Sequence, residues 1–165
     1  MMRNLKELVL ILAVVFTAGQ AADKNSSCTN GWSCFFSAYY KFVSTPLSWV
    51  EAELYCQKLI PGGHLASLHS LEEQQFLMSL SQKSPIWIGS SDSYKDRTFF
   101  WTDGSFLDYH NWRSGEPNNY KGIREPCVTL NQYVPGSWND YICSEMFPFV
   151  CKVSGPACLT NEILG

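Results

Sequence analysis

The stretch that decides the fold reads Asn111-Trp112-Arg113-Ser114-Gly115-Glu116-Pro117-Asn118-Asn119, continued by Glu125-Pro126-Cys127 and then by Trp138-Asn139-Asp140. It sits in a run from Ser90 to Tyr141 that is rich in Asn, Asp, Ser, Gly and Pro, with Trp101, Trp112 and Trp138 spread through it. An irregular stretch of that length is uncommon inside a compact domain unless it is functional. Disulfides or a metal ion are the obvious means of holding it. Glu116, Asn118, Glu125, Asn139 and Asp140 offer carboxylate and amide oxygens, and calcium takes about six to eight oxygens from such groups and from the backbone. Their three carboxylates more than balance the charge of the ion. A proline between Glu116 and Asn118 suits a cis peptide bond, which turns both flanking side chains toward one point. Taken singly, each fragment reads equally well as polar surface loop.

Working outward, the first half of the chain reads as regular structure. Tyr39 to Val43 predicts a strand. Ser48-Trp49-Val50-Glu51 is a capping box, in which Ser48 caps a helix and Glu51 reaches back. Val50, Leu54 and Leu59 recur near helical spacing, with Cys56 among them, until Pro61-Gly62-Gly63 stops the helix. His64 to Leu68 predicts a short strand, and Ser70-Leu71-Glu72-Glu73 a second capping box. The following helix carries Leu71, Phe76, Leu77 and Leu80 and breaks before Pro85. Ile86-Trp87-Ile88-Gly89 reads as a buried strand, and short strands around Cys127 to Asn131 and Phe149 to Val153 close the domain. Two helices first and strands later predict an α+β domain.

The chain has 165 residues, which suits one domain. Apolar residues make up 45%, enough for a packed core, while charged residues are only 16%, against about 25% in an average soluble domain. A net charge of −3 supplies no basic field for nucleic acid. Residues 1–21 read as a secretory signal. Arg3 and Lys6 precede an unbroken apolar run from Leu8 to Phe16, and Gly19-Gln20-Ala21 supplies small residues for cleavage. That run is too short to span a bilayer, and no second one follows, so membrane insertion is not expected. Cleavage near Ala21 removes Arg3, Lys6 and Glu7 and leaves the chain one charge more negative. Residues 22–31 form a polar leader with an N-glycosylation pattern at Asn25.

An oxidising compartment gives the seven cysteines a disulfide role rather than a zinc role. His64, His69 and His110 show no metal-ligand spacing. Seven is odd, and counting alone leaves the connectivity open. There is no Gly-x-Ser-x-Gly elbow, and the histidines fall in no triad pattern, so an enzyme is not expected.

In combination, these residues resemble the C-type lectin-like domain family. The likeness rests on Gly31-Trp32, Cys56, Trp87-Ile88-Gly89, Trp112, Gly115-Glu116-Pro117-Asn118, Glu125-Pro126-Cys127, Trp138-Asn139-Asp140, Cys143 and Cys151. It covers residues 32–153, leaving 154–165 as a C-terminal tail. Within the family, the chain looks most like the small secreted single-domain lectins of fish serum, skin mucus and venom.

The resemblance implies a fold of two helices with antiparallel sheets and a long calcium-binding loop. It implies that Glu116, Asn118, Glu125, Asn139 and Asp140 bind Ca2+ and, with it, two neighbouring hydroxyls of a sugar. Glu116 and Glu125 then accept hydrogen bonds from those hydroxyls, while Asn118 and Asn139 donate; such charge-assisted bonds fix orientation well. The Glu-Pro-Asn triplet resembles that of lectins for mannose-type glycans, with mannose, GlcNAc and fucose as candidate sugars. Galactose-type members usually carry Gln-Pro-Asp. Tyr120 is placed to flank a sugar ring, while Trp101, Trp112 and Trp138 are expected to pack beneath the loop. Asp92 and Asp96 match an acidic pair that holds an auxiliary ion in some members; Asn119 and Pro126 depart from that pattern.

The likeness also implies the pairs Cys56–Cys151 and Cys127–Cys143. Cys28, Cys34 and Cys158 remain. Cys28 is open to pair with Cys34, or either with Cys158, and the residual thiol suits a disulfide-linked homodimer. The expected partner is a glycan on a microbial or cell surface, with innate immune recognition the expected setting. The alternative is a protein- or ice-binding member of the same fold.

Overall fold

A computed structural model describes residues 29–155. The signal segment, the Asn25 pattern, Cys28, Cys158 and most of the tail lie outside the described residues.

Helix placement follows the caps. Ser48 accepts from the Glu51 amide, and the Glu51 carboxylate accepts from the Ser48 amide at 3.1 Å, so both halves of the box start α1 (Trp49–Leu59). Ser70 likewise accepts from the Glu73 amide at the start of α2 (Leu71–Leu80). The second box is only half formed. The Glu73 carboxylate turns inward instead, accepting from the His69 amide at 2.7 Å, from Lys152 Nζ at 2.6 Å and from the Tyr40 hydroxyl. A buried lysine without a counter-charge would cost several kcal/mol, and this contact outcompetes the cap.

The strands are β1 (Ser33–Phe35), β2 (Ala38–Leu47), β3 (His64–Leu65), β4 (Ile86–Ser91), β5 (Phe100–Trp101), β6 (Cys127–Leu130), β7 (Trp138–Tyr141) and β8 (Phe147–Ser154). They form one sheet in the order β1-β2-β8-β4-β6-β7, with β3 on β8 and β5 on β4. The two helices and the antiparallel pairing of most strands are those of the expected α+β fold. The sheet is mixed, because β4 meets β8 in parallel where Trp87 faces Phe149. The strand expected over His64 to Leu68 is confined to His64–Leu65, opposite Lys152 and Cys151. In β4, Gly89 allows a close approach: a Cβ there would lie 2.5 Å from the Leu65 carbonyl oxygen.

One core side packs Phe76 and Leu77 of α2 against Tyr40, Ile88, Val128 and Val150. The other packs α1 through Trp49, Ala52 and Cys56 against Leu65, Trp87 and Phe149. Here the sequence reading picked the wrong face of α1. Val50, Leu54 and Leu59 are exposed, while Trp49, Ala52, Glu53 and Cys56 are buried. The small Ala52 and the Cys56 bond draw the helix close to the sheet. Glu53 is satisfied there by the Leu65 amide at 2.9 Å, His64 Nδ1 at 2.6 Å and the Thr102 hydroxyl at 3.0 Å.

Two disulfides join Cys56 to Cys151 and Cys127 to Cys143, with Cα atoms 5.3 and 5.2 Å apart. The first ties α1 to β8 and the second ties β6 to the turn after β7. Cys34 is also disulfide-bonded.

Candidate functional site

The long loop is held from beneath by tryptophan. Trp101 and Trp138 are buried, with ring centroids 5.5 Å apart, and the half-buried Trp112 lies 5.6 Å from Trp138. The indole N–H of Trp138 donates to Gln74 on α2 at 2.8 Å. Residues 111–113 then run beside the start of β7. The Trp138 amide donates to the Asn111 carbonyl at 2.8 Å, and the Arg113 amide to the Trp138 carbonyl at 2.9 Å. This docking carries the Glu116-Pro117-Asn118 turn to Asn139. The Glu116–Pro117 peptide bond is cis.

Glu116, Asn118, Glu125 and Asn139 line one open hollow. Asp140 is fully buried behind it. Its carboxylate accepts from the Asn118 amide at 3.0 and 3.1 Å and from the Asn119 amide at 2.9 Å. Glu125 accepts from the Tyr120 amide at 2.7 Å. Tyr120 stands at the rim, 59% exposed. The rest of the wall is Arg113, Ile123, Tyr133, Tyr141 and Ile142. His110 is exposed and outside this lining.

The electrostatics fit a cation. Burial pushes the Glu116 carboxyl above its ordinary range; Asp140 adds to the rise and Arg113 opposes it. Burial raises Glu125 as well, against the Tyr120 amide and with the charges of Asp140 and Glu116. Carboxylates crowded in this way gain from a nearby positive charge. Arg113 supplies part of it, pairing with Glu116 and reaching Asn139 Oδ1 at 3.4 Å. Its guanidinium lies over the Tyr133 ring at 4.6 Å.

The donor set is hard oxygen, as calcium requires. Two of these oxygens, Glu116 Oε2 and Asn118 Oδ1, are buried and have no hydrogen-bond partner. Buried polar atoms are rarely left this way, and an ion-binding role is one accepted reason. Other donors are engaged: the Asp140 carboxylate lies on backbone amides, and the Asn139 side-chain N–H donates to the Asp140 carbonyl. No three His, Cys, Asp or Glu side chains among the described residues form a ready-made metal cage. By donor chemistry the five residues, three carboxylates and two amides, suit a calcium ion.

The auxiliary pair behaves differently. Asp92 is buried, and Arg124 Nη1 lies 2.7 Å from Asp92 Oδ1 and 3.3 Å from Asp96 Oδ1. A guanidinium therefore lies between the two carboxylates that match the auxiliary pair. Arg113 and Arg124 are the residues that sequence reasoning missed. The available signal was their adjacency, Arg113 opening the turn that ends in Glu116 and Arg124 directly preceding Glu125.

Residues 45–153 match the model of the Lectin C-type domain. The chain is 46% identical over 164 residues to a protein named Lectin from Pleurodeles waltl, covering 93% of this chain and 95% of that one. It is 44% identical over 133 residues to Ladderlectin from Oncorhynchus mykiss, covering 78% of this chain and 68% of that one. Among solved structures, the herring type II antifreeze protein superposes with a TM-score of 0.71 at 32% identity, over 77% of this chain and 98% of that one.

Proposed function

This chain belongs to the C-type lectin domain family, and on that premise we propose that it is a secreted, calcium-dependent lectin for mannose-type glycans acting in innate immune recognition. The family is one of carbohydrate-binding proteins rather than enzymes. The observation that carries the calcium reading is the pair of buried, unpartnered oxygens, Glu116 Oε2 and Asn118 Oδ1, on either side of Pro117.

Glu116, Asn118, Glu125, Asn139 and Asp140 would hold the ion, and two vicinal sugar hydroxyls would complete its oxygen shell. Glu116 and Glu125 accept hydrogen bonds from those hydroxyls. The amide groups of Asn118 and Asn139 donate to the hydroxyl oxygens, and Asp140 fixes the turn by holding the amides of Asn118 and Asn119. Tyr120 and Tyr133 present exposed rings at the edge of the hollow, against which the apolar face of a sugar packs.

Secretion rests on residues 1–21, and among the described residues no helix is long and apolar enough to cross a membrane. An odd cysteine count leaves one thiol after every intramolecular pairing, which supports a disulfide-linked homodimer. Pairing two weak sites raises avidity through effective concentration.

Retention on mannose-agarose in calcium with elution by EDTA is the expected behaviour, and retention that survives EDTA refutes the reading. Acid elutes too, because the ligands must be deprotonated to hold metal. The likeness to the herring antifreeze protein supports the alternative of an ice-binding member. Ice-crystal shaping by the purified chain, together with a silent glycan array, selects that alternative.

A further inference from the structure

The region around Asp92 contains a cation that belongs to the chain itself. Asp92 is 2% exposed, and a buried carboxylate needs a compensating charge or several donors. It has both. Oδ2 accepts from the Arg97 amide at 2.6 Å, and Oδ1 accepts from Arg124 Nη1 at 2.7 Å. Arg124 Nη2 donates to the Asp92 backbone carbonyl at 2.8 Å, and Nη1 lies 3.3 Å from Asp96 Oδ1. Two carboxylate oxygens and one carbonyl thus converge on a single guanidinium. That is the oxygen set a hard divalent ion would take. The guanidinium meets it with a permanent charge and a rigid fork of donors.

The contacts continue toward the sugar site. Asn119, in the left-handed region at φ 47°, donates its side-chain N–H to Asp96 Oδ1 at 2.9 Å. Asn119 Oδ1 accepts from the Glu125 amide at 2.9 Å, and the Asn119 amide donates to Asp140 Oδ2 at 2.9 Å. The Asp92 amide also donates to the Pro126 carbonyl at 3.1 Å. Arg124 therefore reaches Glu125 and Asp140 through Asp96 and Asn119, and it links the segment 92–97 to both arms of the loop.

We propose that Arg124 is a positioning residue: a built-in cation that takes the place of a second metal ion and sets Glu125 and Asp140 in position before calcium arrives. The inference rests on the lectin reading above, since it takes Glu125 and Asp140 as calcium ligands. It follows that the chain takes up one calcium ion without cooperativity, because the Arg124 charge excludes a second.

The test is calcium titration of the full chain by isothermal calorimetry, with backbone amide exchange measured in EDTA. The wild-type chain is expected to bind one ion and to protect the amides of Asn119 and Glu125 without metal. Arg124→Gln is expected to lower affinity at the first site by about tenfold, as loss of a supporting contact does. It should also release protection at those two amides and admit a second ion at millimolar calcium, which a merely structural role would not produce. Arg124→Lys keeps the charge and should keep the single-ion stoichiometry with a smaller loss. Two ions in the wild-type chain, or an Arg124→Gln chain with unchanged affinity, stoichiometry and exchange, overturns the inference. Failure of the lectin reading shows differently, as no calcium uptake by the wild-type chain.

Discussion

Glu116 and Asn118 face one hollow with one unpartnered buried oxygen each, and in the proposed site they form one of its two acceptor–donor pairs. Exchanging them tests that directly. Glu116→Gln with Asn118→Asp reverses the hydrogen-bond polarity while preserving size and the three-carboxylate count. The double variant is expected to lose mannose-agarose retention and to gain galactose binding on a glycan array, with calcium uptake retained. Retained mannose binding would show that the triplet does not set preference here. At this scale the candidate ligands were legible only in combination: a Glu-Pro-Asn turn alone reads equally well as surface loop, and it is the order of Glu116, Asn118, Glu125, Asn139 and Asp140 along the chain that resembles the family. Arg113 and Arg124 were not legible. An arginine's partner is chosen by tertiary contact, and nothing in the local sequence says that Arg113 lies over Tyr133 or that Arg124 reaches Asp92.

Elements carry these residues into place, and besides the tryptophans two further anchors hold the long loop. The Cys127–Cys143 bond closes a segment with a sequence separation of 16 around β6 and β7. A loop of that size is worth about 3 kcal/mol in the chain-entropy account. Cys127→Ser with Cys143→Ser should therefore lower stability to denaturant by about that amount and weaken calcium binding, since β6 and β7 carry the flanks of Glu125, Asn139 and Asp140. The second anchor is Asp103, just past β5, which accepts from the hydroxyls of Ser67 at 2.5 Å and Ser105 at 2.6 Å. Burial pushes its carboxyl up, but the Ser105 and Ser67 hydroxyls, the Ser105 amide and the Lys152 charge bring it below the ordinary 3.8. A depressed folded value means that Asp103 stabilises the fold above the unfolded value. That contribution is lost as pH falls through the folded value. Asp103→Asn is expected to flatten the acid limb of stability below about pH 3.8 and to leave its neutral plateau lower; an unchanged acid limb would rule the anchor out. Both α-helices were legible through their capping serines. The buried face of α1 was not, because apolar spacing favoured Val50, Leu54 and Leu59, whereas Glu53 and Cys56 are buried by partners remote in sequence. β7 was missed because Trp138 to Tyr141 show no apolar–polar alternation and form a strand through their pairing with β6.

For the molecule as a whole, the calcium reading makes a thermodynamic demand. Burial raises Glu116 and Glu125, and repulsion from Asp140 adds to it, so negative charge under the loop is unfavourable in the calcium-free chain. A ligand that binds the folded chain and not the unfolded one stabilises it by mass action, by about 2.7 kcal/mol at a hundredfold excess over its Kd. For a domain of this size, that corresponds to an upward shift in Tm of roughly 10 °C. The shift should be seen by calorimetry with calcium against EDTA, and it should shrink sharply in Glu125→Gln, which removes one ligand charge. Arg124 refines the expectation. With its cation already holding Asp92 and Asp96, the EDTA form should unfold as one cooperative transition rather than losing the loop first. A calcium shift preceded by a separate low-temperature loop transition would mean that the ion, and not the arginine, orders the site. No calcium shift at all would mean that the hollow between Glu116 and Asn139 serves a ligand other than a metal-bridged sugar.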